Sequence, residues 1–289
     1  MLDVHGDLSA VEIAFFSPAL CIAVFVVFRH GFKKNLGWIY LVTLSILRIV
    51  GGACTLYMED TGKVSDGLLE TAAITSAIGT APLLLVTMGA LERIHEGMEH
   101  KQASIMGFRI LHLTSLAAFI LAIIGGMGVS DSDPSKAKNG KTELEAAAVL
   151  FFCIYLGLVG YTIIAMRNTK WVLMSERKLL QACTFALPFL LVRVIYTVIV
   201  AFSDKGSIFY FEDVNIWVKA FMQFTMEAFV VSLFIFAGLM TPKVERKPEL
   251  PRSNQNQTQQ RSQQRSNQRS LGDYRPSRLI GNALRGDHS

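Results

Sequence analysis

The stretch LPFLLVRVIYTVIVAF, residues 187–202, holds a single charge, Arg193, in an otherwise apolar run. Two more charges stand in similar surroundings, Arg48 in LSILRIVGG and Glu227 in FMQFTMEAF, and Glu12 adds a fourth near the start of the chain. A charge at the centre of a lipid bilayer costs about 2.5–3.5 kcal/mol on insertion scales, so it normally faces a protein interior and finds a partner there. Guanidinium forks and carboxylates placed in this way can lock helices in register, or they can line a polar cavity that binds a ligand or an ion. Sequence neighbours usually pack together, so Arg48 is expected to pair with Glu12, and Arg193 with Glu227. Two separate pairs predict that replacing Arg193 and Glu227 together recovers part of the stability that either replacement alone loses.

The residues around these charges extend the pattern. Ser45, Arg48, Gly52, Thr55 and Glu59 follow three- and four-residue steps and so share one helix face. Lys219, Gln223 and Glu227 are spaced i, i+4, i+8, and Tyr196 and Thr197 lie one turn beyond Arg193. Arg48, Glu12, Arg193, Glu227, Tyr196 and Gln223 are therefore the candidate charge pairs or ligand cavity. Thr71, Thr75, Ser76, Gly79 and Thr80 could join them, although small and hydroxyl residues are also what close helix packing requires.

Other chemistry has little support. The chain has no GxSxG, HExxH or Walker loop, so no catalytic residue and no enzyme activity are expected. Cys21, Cys54, Cys153 and Cys183 all fall inside apolar runs without a CxxC pair. They read as small hydrophobes, not as disulfides or metal ligands, and no metal or cofactor is expected. His95 and His100 in ERIHEGMEHK are five apart, the wrong spacing for one helix face, and read as a solvated segment. A retinal-binding lysine would sit at mid-membrane in the last helix, whereas Lys219 is only five residues from the end of its run.

The elements that must carry these residues follow from composition. The chain of 289 residues is 51% hydrophobic and 18% charged, with a mean hydropathy of +0.38, and such a chain is better dissolved in lipid than in water. Seven apolar runs stand out, at roughly 8–28, 36–58, 67–91, 105–128, 142–165, 179–202 and 214–240. Each is near or above the ~20 residues that an α-helix needs to cross a bilayer, and none alternates with period two as a β-barrel strand would. The fold class is therefore all-α, a polytopic bundle of seven transmembrane helices in a multi-pass integral membrane protein. At ~1.5 Å per residue, Arg193 lies about 22 Å from one end of its helix and about 15 Å from the other, near the bilayer midplane. Pro18, Pro82 and Pro188 sit inside runs and can kink their helices.

Orientation follows from the lysines and arginines. The first, third and fifth separators carry nine, whereas the N-terminus and the other separators carry five. This bias places the N-terminus outside and the C-terminus in the cytosol. The start MLDVHGDLSAVE has no basic region, so the first helix is expected to be an uncleaved anchor.

Residues 1–241 thus form the transmembrane domain, and residues 242–289 are a different material. From Thr241 onward, ten Lys and Arg face four acids, a net of +6, while the rest of the chain carries −1. Gln, Asn, Ser and Arg dominate this tail, and apolar residues are almost absent until Leu271, so a disordered cytosolic tail is expected. Its Arg-Ser steps at Arg261, Arg265 and Arg269 suit a kinase or a cytosolic partner, and its basic start at Lys243, Arg246 and Lys247 suits anionic lipid. The charge belongs to a tail tethered beside a membrane, so no nucleic-acid partner is expected.

The order and spacing of several motifs carry a resemblance. They are Glu12 with Pro18, Arg29-His30-Gly31-Phe32, Gly37-Trp38, Arg48 with Gly51, Gly79 with Pro82, and Pro188 with Arg193 and Tyr196. Together, over roughly residues 9–240, they resemble a fungal family of seven-helix membrane proteins, domain of unknown function seven-seven-zero-two. The resemblance implies a fungal membrane protein and brings no activity, ligand or catalytic residue with it. Three readings stay open: a receptor-like protein or sensor with a midplane cavity for a small ligand or ion, a transporter or channel that uses the same charges, and a non-catalytic membrane organiser.

Overall fold

The structure is a computed structural model that describes residues 4–30, 37–61, 65–96, 101–129, 133–168, 176–203 and 216–241. The expected disordered tail and His100 lie outside the described residues. The elements run α1 (Val4–His30), α2 (Gly37–Thr61), α3 (Asp66–Ile78), α4 (Thr80–Glu96), α5 (Lys101–Val129), α6 (Pro134–Arg167), α7 (Arg177–Phe202), α8 (Ile216–Val218), a π-helical segment (Lys219–Thr225) and α9 (Met226–Met240). There is no strand among the described residues.

Among the described residues, seven spans are long and apolar enough to cross a membrane: Gly6–His30, Gly37–Thr61, Glu70–His95, Met106–Val129, Pro134–Arg167, Arg177–Phe202 and Ile216–Met240. Each overlays one of the seven apolar runs. The chain is a multi-pass membrane protein. Its interior is packed by Phe16, Leu41, Leu44, Leu84, Phe151 and Phe234, all nearly or fully buried. Its outer faces are equally apolar: Phe28 is 69% exposed, Leu113 68% and Phe185 64%. A water-soluble bundle would place polar residues there, whereas a bilayer solvates these side chains directly.

Two departures from the apolar runs have local causes. The third span is divided at Gly79, between α3 and α4. Pro82 has no N–H to offer the carbonyl four residues back, and its ring crowds that carbonyl. The fifth span begins at Pro134, eight residues before the run at 142–165. Asp133 caps it, accepting from the Ser135 backbone N–H at 3.0 Å, and Pro134 occupies the first turn. Asp followed by Pro is a helix-start signal that outweighs the charges of the turns behind it. Pro18 and Pro188 lie within unbroken helices.

Glycines set the closest helix approach. A Cβ on Gly140 in α6 would lie 2.6 Å from the Val129 backbone nitrogen and 2.7 Å from the Gly128 carbonyl carbon in α5. A Cβ on Gly89 in α4 would lie 2.6 Å from Gly37 Cα in α2. Hydroxyl groups are mostly turned inward on their own helices: Thr71 donates to Gly67 O at 2.7 Å, Thr75 to Thr71 O at 2.8 Å and Thr162 to Leu158 O at 2.8 Å. Such bonds hide the hydroxyl from lipid and let helices pack.

Candidate functional site

Glu227 stands in the first turn of α9 and is 0% exposed. Its Oε2 accepts from Arg48 Nε at 2.6 Å, and its Oε1 accepts from Arg48 Nη2 and, at 2.6 Å, from Arg193 Nε. One carboxylate therefore joins α2, α7 and α9. Arg48 meets it with two parallel donors, the geometry that suits a guanidinium best. Arg193 adds a bond from Nη1 to Thr197 Oγ1 at 3.0 Å and stacks its Cζ 5.5 Å from the centre of the Tyr196 ring. Thr197 lies 2.9 Å from Thr80 Oγ1, which ties α4 into the same network.

Gly79 makes room for this arrangement. A Cβ there would run into Arg48 Nη2 and lie 3.0 Å from its Cζ. The break between α3 and α4 thus falls where the fork of Arg48 passes.

The pairing expected for Arg48 is corrected. Arg48 binds Glu227, not Glu12, because Glu227 occupies its fork from across the bundle. Sequence adjacency governs which backbones pack, and α1 does pack on α2: Gly52 faces Ser9 and Ile13. It does not govern where a long arginine side chain reaches. Glu12 is buried, 6% exposed, and its Oε1 has no hydrogen-bond partner among the described residues. It stays within electrostatic reach of Arg48, Lys219, Glu227 and Arg193.

Beside this cluster lies a cavity of about 290 Å³. Its lining includes the polar side chains of Thr55, Ser76, Arg193, Tyr196, Thr197, Lys219 and Gln223, and much of the rest is apolar, with Leu144, Ala147, Ala148, Phe151, Val200 and Ala201. It sits toward the end of the bundle where α2, α5 and α7 finish and α3, α6 and α8 begin. Toward the opposite end, the layer past the cluster is closely packed: Leu44, Leu83, Leu190 and Val231 are each 0% exposed.

The π-helical segment sets the register of the polar lining. Lys219 and Gln223 lie within it, and Glu227 lies just beyond it. Thr225 Oγ1 accordingly donates to Ala220 O, five residues back, at 2.9 Å. A widened turn of this kind is rare in helices and is found disproportionately at functional sites.

Of the six candidate residues, Arg193, Tyr196 and Gln223 reach the cavity, Arg48 and Glu227 form the ion cluster behind it, and Glu12 lies close without a bond to either. Lys219 was missing from the candidates. Its i, i+4 spacing to Gln223 marks it, whereas its nearness to the helix end bears only on a retinal site. The histidine reading is corrected as well. His95 is buried, with Nδ1 2.9 Å from Leu91 O and its ring edge-on to Phe108 and Tyr161. The turns after Leu91 stay helical and packed, so the ring faces neighbours, not water. Close by, Arg93 Nη2 donates to Glu176 Oε1 at 2.8 Å, joining α4 to the residue before α7. The four cysteines are free thiols, and no group of metal-ligating side chains occurs among the described residues.

The model of one protein family, a domain of unknown function (DUF7702), matches residues 2–244. No curated protein matches the chain.

Proposed function

The chain belongs to the DUF7702 family, a domain of unknown function, and we propose that it is a non-enzymatic, receptor-like membrane protein that senses a small ligand in the cavity beside Arg193. The observation that carries this reading is a cavity whose lining includes Arg193, Lys219 and Gln223 and that borders a buried ion cluster. The leucines and valine past Glu227 are fully buried, which favours a site that ends at the cluster over an open pore. A mere organiser has no use for a cavity of about 290 Å³, close to the ~300 Å³ lower edge of small-molecule sites. The ligand would touch Arg193, Lys219 and Gln223. Arg193 shares Glu227 with Arg48, so contact in the cavity reaches three helices at once.

The lysine and arginine bias turns the cavity end outward and leaves the basic tail in the cytosol, where a kinase or partner would read the response. Ala201→Cys, in a variant whose four native cysteines are alanine, tests this. A membrane-impermeant thiol reagent applied to intact cells should label Cys at 201, and the same reagent should fail on Leu190→Cys from either side. Labelling at 201 only in inverted vesicles would reverse the orientation. Labelling at 190 would make the cavity part of a pathway and the protein a transporter or channel.

A further inference from the structure

We infer that the cavity takes the carboxylate of a small organic acid whose body is apolar. The inference rests on the reading of the cavity as a ligand site and adds the class of ligand. Arg48 and Arg193 share Glu227 as their ion-pair partner among the described residues, with Glu12 close by. Lys219 makes no ion pair among the described residues, and the two guanidiniums have one shared carboxylate between them. In a low-dielectric interior such an arrangement favours an anion that joins it.

The donors that remain are on the cavity wall. Arg193 uses Nε for Glu227 and Nη1 for Thr197, and its Nη2 meets no acceptor among the described residues. Lys219 is half-buried and lines the cavity. Gln223 is 2% exposed, lines the same cavity, and its amide nitrogen has no partner among the described residues. These three groups would hold one carboxylate. A phosphate monoester, with a charge of about −1.5 to −2 near pH 7, would leave part of its charge unmatched. The same cavity is lined by Leu144, Ala147, Ala148 and Phe151, whose carbon side chains suit an aromatic or short aliphatic body. The volume of about 290 Å³ is small for a two-chain lipid. The acid could arrive from water or as a single-chain fatty acid from the bilayer.

Thermal unfolding of the full-length protein in zwitterionic nanodiscs tests this. The probes are 4-phenylbutyrate, octanoate and palmitate, with 4-phenylbutyramide as the neutral counterpart and phenyl phosphate as the dianion. At least one acid should raise Tm by about 5–10 °C at a hundredfold excess over its Kd, and the amide should not. A response to palmitate alone places the source in the bilayer, and a response to the shorter acids places it in water; both support the carboxylate. Lys219→Gln should abolish the shift and Lys219→Arg should keep it. Neither touches the Glu227 cluster, so both should run as a single folded peak on gel filtration. An amide as effective as the acid, a preference for phenyl phosphate, or a full response in Lys219→Gln would overturn the carboxylate while leaving the cavity a ligand site. Absence of any shift from all three acids would overturn it too, and labelling at 201 would then decide whether the cavity itself stands.

Discussion

Glu227→Leu is expected to destabilise the protein more than any other single replacement in the ion cluster. Removing one partner of a buried ion pair costs about 3–5 kcal/mol, largely because the other charge is left uncompensated. Glu227 is the acid for two arginines, so its loss strands both. That corresponds to a fall of about 6–20 °C in Tm for a domain of this size. Arg48→Leu and Arg193→Leu each leave one arginine on Glu227 and should cost clearly less, with Arg48 the costlier because it donates twice. Two separate pairs would let Arg193→Leu with Glu227→Leu regain stability. The shared acid leaves Arg48 stranded in that double variant, so it should regain little. Thermal unfolding in detergent measures all four. Equal losses for Glu227 and Arg193, with strong recovery in the double variant, would show that the acid is not shared.

The second large effect is expected at Gly140. Valine there must place Cβ and two methyl groups against the backbone of Val129 and Gly128, at separations below 3 Å. Backbone cannot swing aside as a side chain can, so α5 and α6 must part. Overpacking typically costs about 1–3 kcal/mol, sometimes more, and this contact belongs at the upper end. Gly160, on the same helix, has open space where a Cβ would stand, with nothing within 4 Å. Gly160→Ala should therefore be neutral or stabilising by about 0.5–1 kcal/mol through helix propensity. Similar unfolding temperatures for the two variants would remove the case for close packing at Gly140. Because Leu144, Ala147 and Ala148 continue the same helix into the cavity, Gly140→Val should also weaken any ligand response.

The contrast between these two glycines shows what the chain reveals by itself. Seven spans are legible because a bilayer demands about twenty apolar residues in a row, and that demand is local. The buried charges are legible for the same reason: Arg193 is conspicuous among leucines and valines. Which charges meet is a different matter. Arg48 and Glu227 are 179 residues apart, and no short-range rule links them. Gly140 and Gly160 look alike in sequence, yet only one faces a neighbouring backbone. The start of α6 is signalled by Asp133 and Pro134 but masked by the lysines and glutamates that follow. The π-helical segment has no signal of its own, since it reflects how Lys219 and Gln223 settle against the rest of the bundle.

That long separation has a consequence for how the protein is made. Helices enter the membrane in the order of synthesis, and α2 arrives with Arg48 long before α9 exists. At about 5–20 residues per second, the 179 residues between Arg48 and Glu227 take roughly 10–35 s to translate. Through that interval the arginine must be carried by the apolar residues of its own helix, by lipid headgroups or by the insertion machinery. Arg193, only 34 residues ahead of Glu227, waits a few seconds by the same rate. The final helix then closes the bundle by supplying the carboxylate for both. A nascent chain that stops short of residue 227 would hold six inserted helices and two arginines without their shared carboxylate.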